Sequence, residues 1–369
     1  MNPRLQQLRQ LGQSLWLDNI TRDLLDSGTL ARYIDDYGLT GLTSNPTIFD
    51  EAIGNSSAYD AAIRDPKAKG LDPEALFLEL ALDDLRRAAD LFRPAHEASG
   101  GVDGWVSMEL SPLLASDTAS SIEAAARIHR QAARDNLYIK IPGTPEGVPA
   151  IEESIANGIA INVTLLFSLD QYIASAEAYM RGLERRVAVG LSPDIRSVAS
   201  VFLSRWDGAI MDKVPTTLRN KLGIAVGQQV YKAYRDMLES DRWQCLANFG
   251  ARPQRLLFAS TGTKDPNASD VLYINALAAP NTINTMPEKT LLAFGEHGQV
   301  ISTLPRDGGD CESVLAEFRK AGIDLDKLAA DLQSKGATAF DGSWKKLMAA
   351  IETRGKDIQD SNSKPSHAA

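Results

Sequence analysis

Eight short runs of β-branched and apolar residues punctuate the chain, and amphipathic stretches of helical period separate them; no other feature restricts the fold as much. The runs are SLWLDNI (14–20), GLTSNPT (41–47), GWVSMEL (104–110), LYIKIPG (137–143), IAINVTLLF (159–167), SVASVFLS (197–204), RLLFAST (255–261) and NTINTMP (281–287). Apolar residues at helical spacing fill PEALFLELALDDLRRAADLF (73–92), TASSIEAAARIHRQAARD (118–135) and LFSLDQYIASAEAYMRGLERR (166–186). Strands joined through helices run parallel, and eight such units predict an α/β fold, a closed (β/α)8 TIM barrel with additional helices. A single barrel domain over 1–358 accounts for the length, since such barrels outgrow the usual domain size. The segment 207–243 is long for one crossover and is expected to hold an additional helix. LPRDGGDCES (304–313) reads as a loop before a final helix, and the polar stretch 359–369 as a disordered C-terminal tail.

Side chains alternate faces along a strand, and here the alternation is informative. Ile139 and Ile141 oppose Tyr138 and Lys140; Val106, Met108 and Leu110 oppose Trp105, Ser107 and Glu109. Ile161, Val163 and Leu165 oppose Ala160, Asn162 and Thr164, and Leu15 and Leu17 oppose Trp16 and Asp18. Ser200 and Phe202 share one side of the sixth run, Phe258 and Ser260 one side of the seventh. One face is thus aliphatic, suited to a covering helix layer. The other turns polar toward the C-terminal ends, where barrels gather their chemistry. Asp18, Asn45, Glu109, Lys140, Asn162, Thr164, Ser200 and Ser260 are expected around one mouth.

Lys140 is the residue that asks for an explanation. A lysine between isoleucines pays a large desolvation cost if buried as a cation. The ordinary account is an edge-strand lysine that discourages aggregation, but a closed barrel has no edge. Burial favours the neutral form of an amine, and a neutral amine attacks carbonyls to form a Schiff base. The protonated imine withdraws electrons, so a neighbouring carbon–carbon bond can break without a cofactor. Such chemistry needs one carboxylate for the substrate hydroxyl proton and another to move protons and water during imine formation. Asp18 and Glu109 are the inward carboxylates; as an alternative they serve only as counter-ions for Lys140. Asn45, Asn162 and Ser200 suit sugar hydroxyls or ordinary internal hydrogen bonds. Arg205, past the sixth run, and Lys264, in ASTGTKDP (259–266), are candidate phosphate ligands at the corner where barrels often bind phosphate.

The bulk properties exclude other classes. A net charge of −9 argues against a nucleic-acid partner, which would call for a basic face. Two cysteines without CxxC spacing and four scattered histidines match no disulfide framework and no metal motif, so no metal is expected. MNPRLQQLRQLGQSLWLD lacks the apolar core of a signal peptide, and no apolar run approaches a membrane span. The cytoplasm is the expected location, with no membrane partner.

LWLDNITRDLL (15–25), GLTSNPTIF (41–49), VSMELSP (106–112), YIKIPGTPEG (138–147), INVTLLFS (161–168) and LFASTGTKDP (257–266) together make the chain resemble the transaldolase family, in its longer bacterial type. The resemblance implies a class I Schiff-base aldolase barrel without a cofactor. It would move a dihydroxyacetone unit from sedoheptulose 7-phosphate to glyceraldehyde 3-phosphate, giving erythrose 4-phosphate and fructose 6-phosphate in the pentose phosphate pathway. It implies Lys140 as the Schiff-base lysine, Asp18 on the C4 hydroxyl proton, and Glu109 with a water held by Thr164 in imine formation and hydrolysis. It places Asn45, Asn162 and Ser200 on hydroxyls and Arg205 on phosphate. Phe202 and Ser260 are expected beside them by their position on the inward faces. Where shorter relatives carry a second phosphate arginine, this chain reads STGTK, so that charge falls to Lys264, a point charge rather than a fork. Small sugar phosphates are the expected partners, and a monomer and a homodimer are both compatible with the sequence. The rival within enzymes is a fructose 6-phosphate aldolase-like activity, which Glu109 disfavours because the resembling aldolases lack it. A non-catalytic sugar-phosphate binder is the remaining alternative.

Overall fold

The structure, a computed structural model, describes residues 1–65 and 70–363. Eight parallel strands close into a barrel in chain order. They are β1 (Ser14–Asp18), β2 (Gly41–Thr43), β3 (Trp105–Glu109), β4 (Leu137–Pro142), β5 (Ile161–Leu166), β6 (Ser197–Phe202), β7 (Gln254–Ala259) and β8 (Thr282–Met286). β8 returns to pair with β1, aligning Trp16 with Thr285. The expected α/β barrel is therefore present, and every strand lies within its sequence run or one residue outside it.

The helices start where the chain supplies caps. Asp72 accepts from Ala75 N–H ahead of Pro73–Ala98, with proline at the first turn, where its missing N–H costs nothing. Ser168 and Gln171 form a reciprocal capping box on Leu169–Ala188. Pro73–Ala98 extends past the expected end at 92 because Pro94 is accommodated inside it. The segment 207–243 holds more than one extra helix: Ser204–Ile210 runs into it, a 3₁₀ turn covers Thr216–Leu218, and Leu222–Glu239 is followed by Asp241–Asn248. The loop expected over 304–313 is shorter, because a helix begins at Cys311, and two helices follow instead of one, Cys311–Lys320 and Leu325–Ser363. The second occupies 359–363, where a tail is expected; residues 364–369 of that tail lie outside the described residues. Among the described residues, no helix is long and apolar enough to cross a membrane.

The barrel interior is layered. At the N-terminal end Trp105 stacks on Tyr138, ring centroids 4.0 Å apart, and Trp16 lies 6.1 Å from Tyr138. Such aromatic pairs contribute beyond the apolar area they bury. Gly41 makes room for them: a Cβ there would sit 2.6 Å from the Trp16 ring and from the Trp105 carbonyl oxygen. Above this layer Asn162 joins Ser107 to Ser200, donating to the first at 3.1 Å and accepting from the second at 2.7 Å. The layer above that is charged.

Outside the barrel, Arg22 and Asp84 form a buried ion pair at 2.8 Å, and Tyr59 donates to the same carboxylate at 2.9 Å. Burial pushes the Asp84 carboxyl up, opposed by Arg22. Asp84 is fully buried and Arg22 nearly so. Arg22 also reaches Asp83 at 2.9 Å, so Asp84→Ala leaves the arginine a carboxylate. It takes the buried acceptor from Arg22 and Tyr59, and should cost about 2–3 kcal/mol. Urea unfolding measures this; a loss below about 1 kcal/mol would show that the pair is dispensable.

Candidate active site

The C-terminal ends of the strands surround a cavity of about 170 Å³. Asp18, Asn45, Lys140, Thr164, Ser200, Phe202, Arg205, Ser260 and Lys264 all line it. These residues come from β1, β4, β5, β6, the helix Ser204–Ile210 and the loops after β2 and β7, and only barrel closure brings them together. A larger groove, about 1350 Å³, runs beside Pro73–Ala98 and the C-terminal helix. No strand residue lines it, and it is open to solvent; the smaller mouth holds the converging charges.

The Lys140 ammonium nitrogen donates to Glu109 Oε2 and to the Ser44 carbonyl oxygen, both at 2.9 Å. The strand register sets this pair directly, since Glu109 and Lys140 are aligned between β3 and β4. Both side chains are buried, 6% exposed for the lysine and 5% for the glutamate, so this is an internal pair rather than a surface one. Burial raises the Glu109 carboxyl above its usual range, and Lys140 pulls it back. Glu109 does not itself line the cavity; it sits behind Lys140. Thr164 adds a fully buried hydroxyl that has no hydrogen-bond partner among the described residues. It sits where the β5–β6 register shifts, beside Leu165 at φ 57°. Asp18, half-buried at the end of β1, accepts from Thr43 Oγ1 at 2.8 Å.

Asn45 caps the helix Pro46–Asn55 with its side-chain oxygen, accepting from Ile48 N–H at 3.1 Å, and keeps its amide NH2 for the cavity. Asn162 departs from expectation. It is fully buried, bound to Ser107 and Ser200, and absent from the cavity lining. Its parity is inward as expected, but it lies one layer too deep and holds Ser200 instead of facing solvent. Ser260, at φ 54°, shares a 3.0 Å hydroxyl contact with Ser204.

Arg205 has no carboxylate partner among the described residues. Its guanidinium lies 4.9 Å over the Phe202 ring and 5.8 Å from the centre of Phe340. Burial lowers its pKa, while Asp18 and Glu109 counter the effect; it stays a cation, as arginine does in proteins. Lys264 stands exposed at the rim.

Six lining residues are absent from the sequence-derived set: Thr43, Ala259, Gly262, Thr285, Pro287 and Phe340. Thr43 links Asp18 to Thr285, the two hydroxyls 2.8 Å apart. Phe340 belongs to the C-terminal helix, which crosses over this end of the barrel. Gln333 on that helix donates to the carbonyls of Gly143 and Leu165, both at 3.0 Å, and fastens it to the ends of β4 and β5. Gly336 permits the close approach, since a Cβ there would meet Leu165 at 3.0 Å and Arg205 at 3.3 Å.

A chain with this barrel and mouth has known relatives. The family model described as transaldolase/fructose-6-phosphate aldolase matches residues 15–351. A transaldolase of Thiobacillus denitrificans is 43% identical over 352 residues, covering 93% of this chain and 98% of its own length. One from Frankia alni is 41% identical over 360 residues, covering 95% and 97%. One from Mycobacterium marinum is 41% identical over 363 residues, covering 96% and 97%. The chain belongs to the transaldolase family of transferases.

Proposed function

We propose that the chain moves a dihydroxyacetone unit from sedoheptulose 7-phosphate to glyceraldehyde 3-phosphate through a Schiff base on Lys140. The observation that carries this reading is the internal Lys140–Glu109 pair at 2.9 Å, at a mouth that Lys140 shares with the unpartnered Thr164 hydroxyl and with Asp18.

Lys140 attacks the ketose C2 carbonyl after passing a proton to Glu109. That transfer is favoured because burial already raises the carboxyl. Glu109, with a water on Thr164, then returns protons as the carbinolamine loses water to the imine. Asp18 takes the C4 hydroxyl proton, the C3–C4 bond breaks, and its electron pair moves into the protonated imine. Erythrose 4-phosphate leaves. The enamine adds to the acceptor aldehyde, Asp18 returns its proton to the new C4 hydroxyl, and water hydrolyses the imine to release fructose 6-phosphate. Thr43 and Thr285 hold Asp18 in place through their hydroxyl chain. The amide of Asn45 and the hydroxyls of Ser200 and Ser260 meet the sugar hydroxyls, with Asn162 fixing Ser200 from below.

The phosphate is met by Arg205 and, at the rim, Lys264. Arg205→Ala should raise KM for phosphorylated sugars about ten- to a hundred-fold, as expected for charge-assisted hydrogen bonds. Lys264→Ala should raise it only about several-fold, because that lysine is solvated. Neither change should affect unphosphorylated dihydroxyacetone-type substrates comparably; an equal effect on both would remove the residue from the phosphate site.

The reading is tested by following fructose 6-phosphate with and without erythrose 4-phosphate as acceptor. Transfer to the acceptor with little free dihydroxyacetone is expected. Rapid dihydroxyacetone release without acceptor would instead favour the aldolase-like activity.

A further inference from the structure

Arg22 and Arg205 are both withdrawn from solvent, yet they are fixed by different means. Arg22 donates to Asp83 and Asp84, and those donors are spent. The Arg205 guanidinium makes no hydrogen bond among the described residues; two ring faces lie against it instead, Phe202 at 4.9 Å and Phe340 at 5.8 Å. Both distances fall inside the range of about 6 Å in which a ring face attracts a cation. A ring attracts the charge without consuming the N–H donors in carboxylate or carbonyl bonds, so they remain for an incoming anion.

The two rings are held independently. Phe202 ends β6 and leans on Phe167, with centroids 5.5 Å apart. Phe340 comes from the C-terminal helix, which is anchored on both sides of it. Gln333 ties the preceding turns to the ends of β4 and β5. Beyond Phe340, Ser343 shares a 2.8 Å hydroxyl contact with Thr47, and Trp344 meets Phe77 edge-on with centroids 5.0 Å apart. Gln333, Gly336 and Phe340 recur at helical spacing, which puts them on one face. Gly336 lets that face reach the arginine, since a Cβ there would stand 3.3 Å from Arg205 Nη1. Phe340 is 5% exposed and lines the mouth. Its ring is thus presented to Arg205 by a helix fastened at two places on the barrel.

We infer, resting on the reading of Arg205 as the phosphate ligand, that Phe340 is a positioning residue for phosphate recognition. With Phe202 it clamps the guanidinium at the mouth and leaves its donors free. The C-terminal helix thereby sets the preference for phosphorylated sugars.

Steady-state kinetics with fructose 6-phosphate and with fructose, the same ketose without the phosphate, test this role. Phe340→Leu keeps an apolar side chain and loses the ring face. It should raise KM for fructose 6-phosphate about fivefold with kcat little changed, the pattern of lost uniform binding, and leave fructose unaffected. Phe340→Tyr, which keeps the face, should behave as the parent protein. In the Arg205→Ala background Phe340→Leu should add nothing, because a ring that acts through the arginine then has nothing to place. A lower melting temperature with both substrates weakened together would make Phe340 merely structural and overturn the role. So would an equal effect of Phe340→Leu with and without Arg205, which would make the ring a direct sugar contact. If Arg205→Ala leaves KM for fructose 6-phosphate unchanged, the phosphate reading of the arginine fails and takes the role of Phe340 with it. If Arg205→Ala raises KM and Phe340→Leu does not, only the role of Phe340 fails.

Discussion

Replacing Lys140 with alanine is expected to lower turnover on the order of 10⁴-fold or more, because a lost nucleophile removes the covalent route rather than slowing it. The protein should still fold. The variant leaves Glu109 buried without its partner, but burial already raises that carboxyl, so it protonates rather than remaining an isolated charge. Circular dichroism and a thermal melt separate the two outcomes. Normal activity in a folded Lys140→Ala protein would remove the residue from the reaction. Loss of activity together with loss of the fold would show that the pair is structural.

Asp18→Ala is the second large effect. Positioned general acid–base groups contribute about 10²–10⁴-fold, and turnover should fall by that amount. The loss should be confined to carbon–carbon cleavage and formation. Asp18 bonds to Thr43 and makes no hydrogen bond to Lys140 or Glu109, so the proton transfer within that pair does not pass through it. Rapid-quench experiments should find the ketose imine accumulating on the variant. If imine formation slowed as much as turnover, Asp18 would have to act earlier than the C4 proton transfer.

The sequence made the barrel legible through its βα rhythm, and strand parity placed Asp18, Glu109, Lys140 and Thr164 at one end without any contact being known. Parity works on β1, β3, β4 and β5 because one face of each is aliphatic. It fails on β8, where Thr282, Asn284 and Thr285 put polar groups on both faces: Thr285 meets Thr43, while Thr282 serves Gln13 and Asn284 serves Thr261. Buried hydroxyls satisfied behind the strand look in sequence like hydroxyls aimed at a substrate. Depth is equally invisible to parity. Asn162 and Thr164 share a face, yet the first lies in the layer beneath the mouth and the second reaches it.

Phe340 was beyond reach for another reason. It comes from a helix far along the chain from Arg205, and its approach depends on Gly336 and on Gln333 holding the ends of β4 and β5. Nothing local in DLQSKGATAF signals that this helix covers the barrel. The length of the segment 207–243 announces extra structure but not how the chain turns. Asp207 directs one of those turns by accepting from the Leu222 and Gly223 amides, each at 3.0 Å.

The most direct measurement is reductive trapping. Fructose 6-phosphate and borohydride added together should leave a reduced dihydroxyacetone unit on a single peptide, with Lys140 as the modified residue and none trapped in the Lys140→Ala protein. An unmodified protein, or an adduct on any other lysine, would contradict the account.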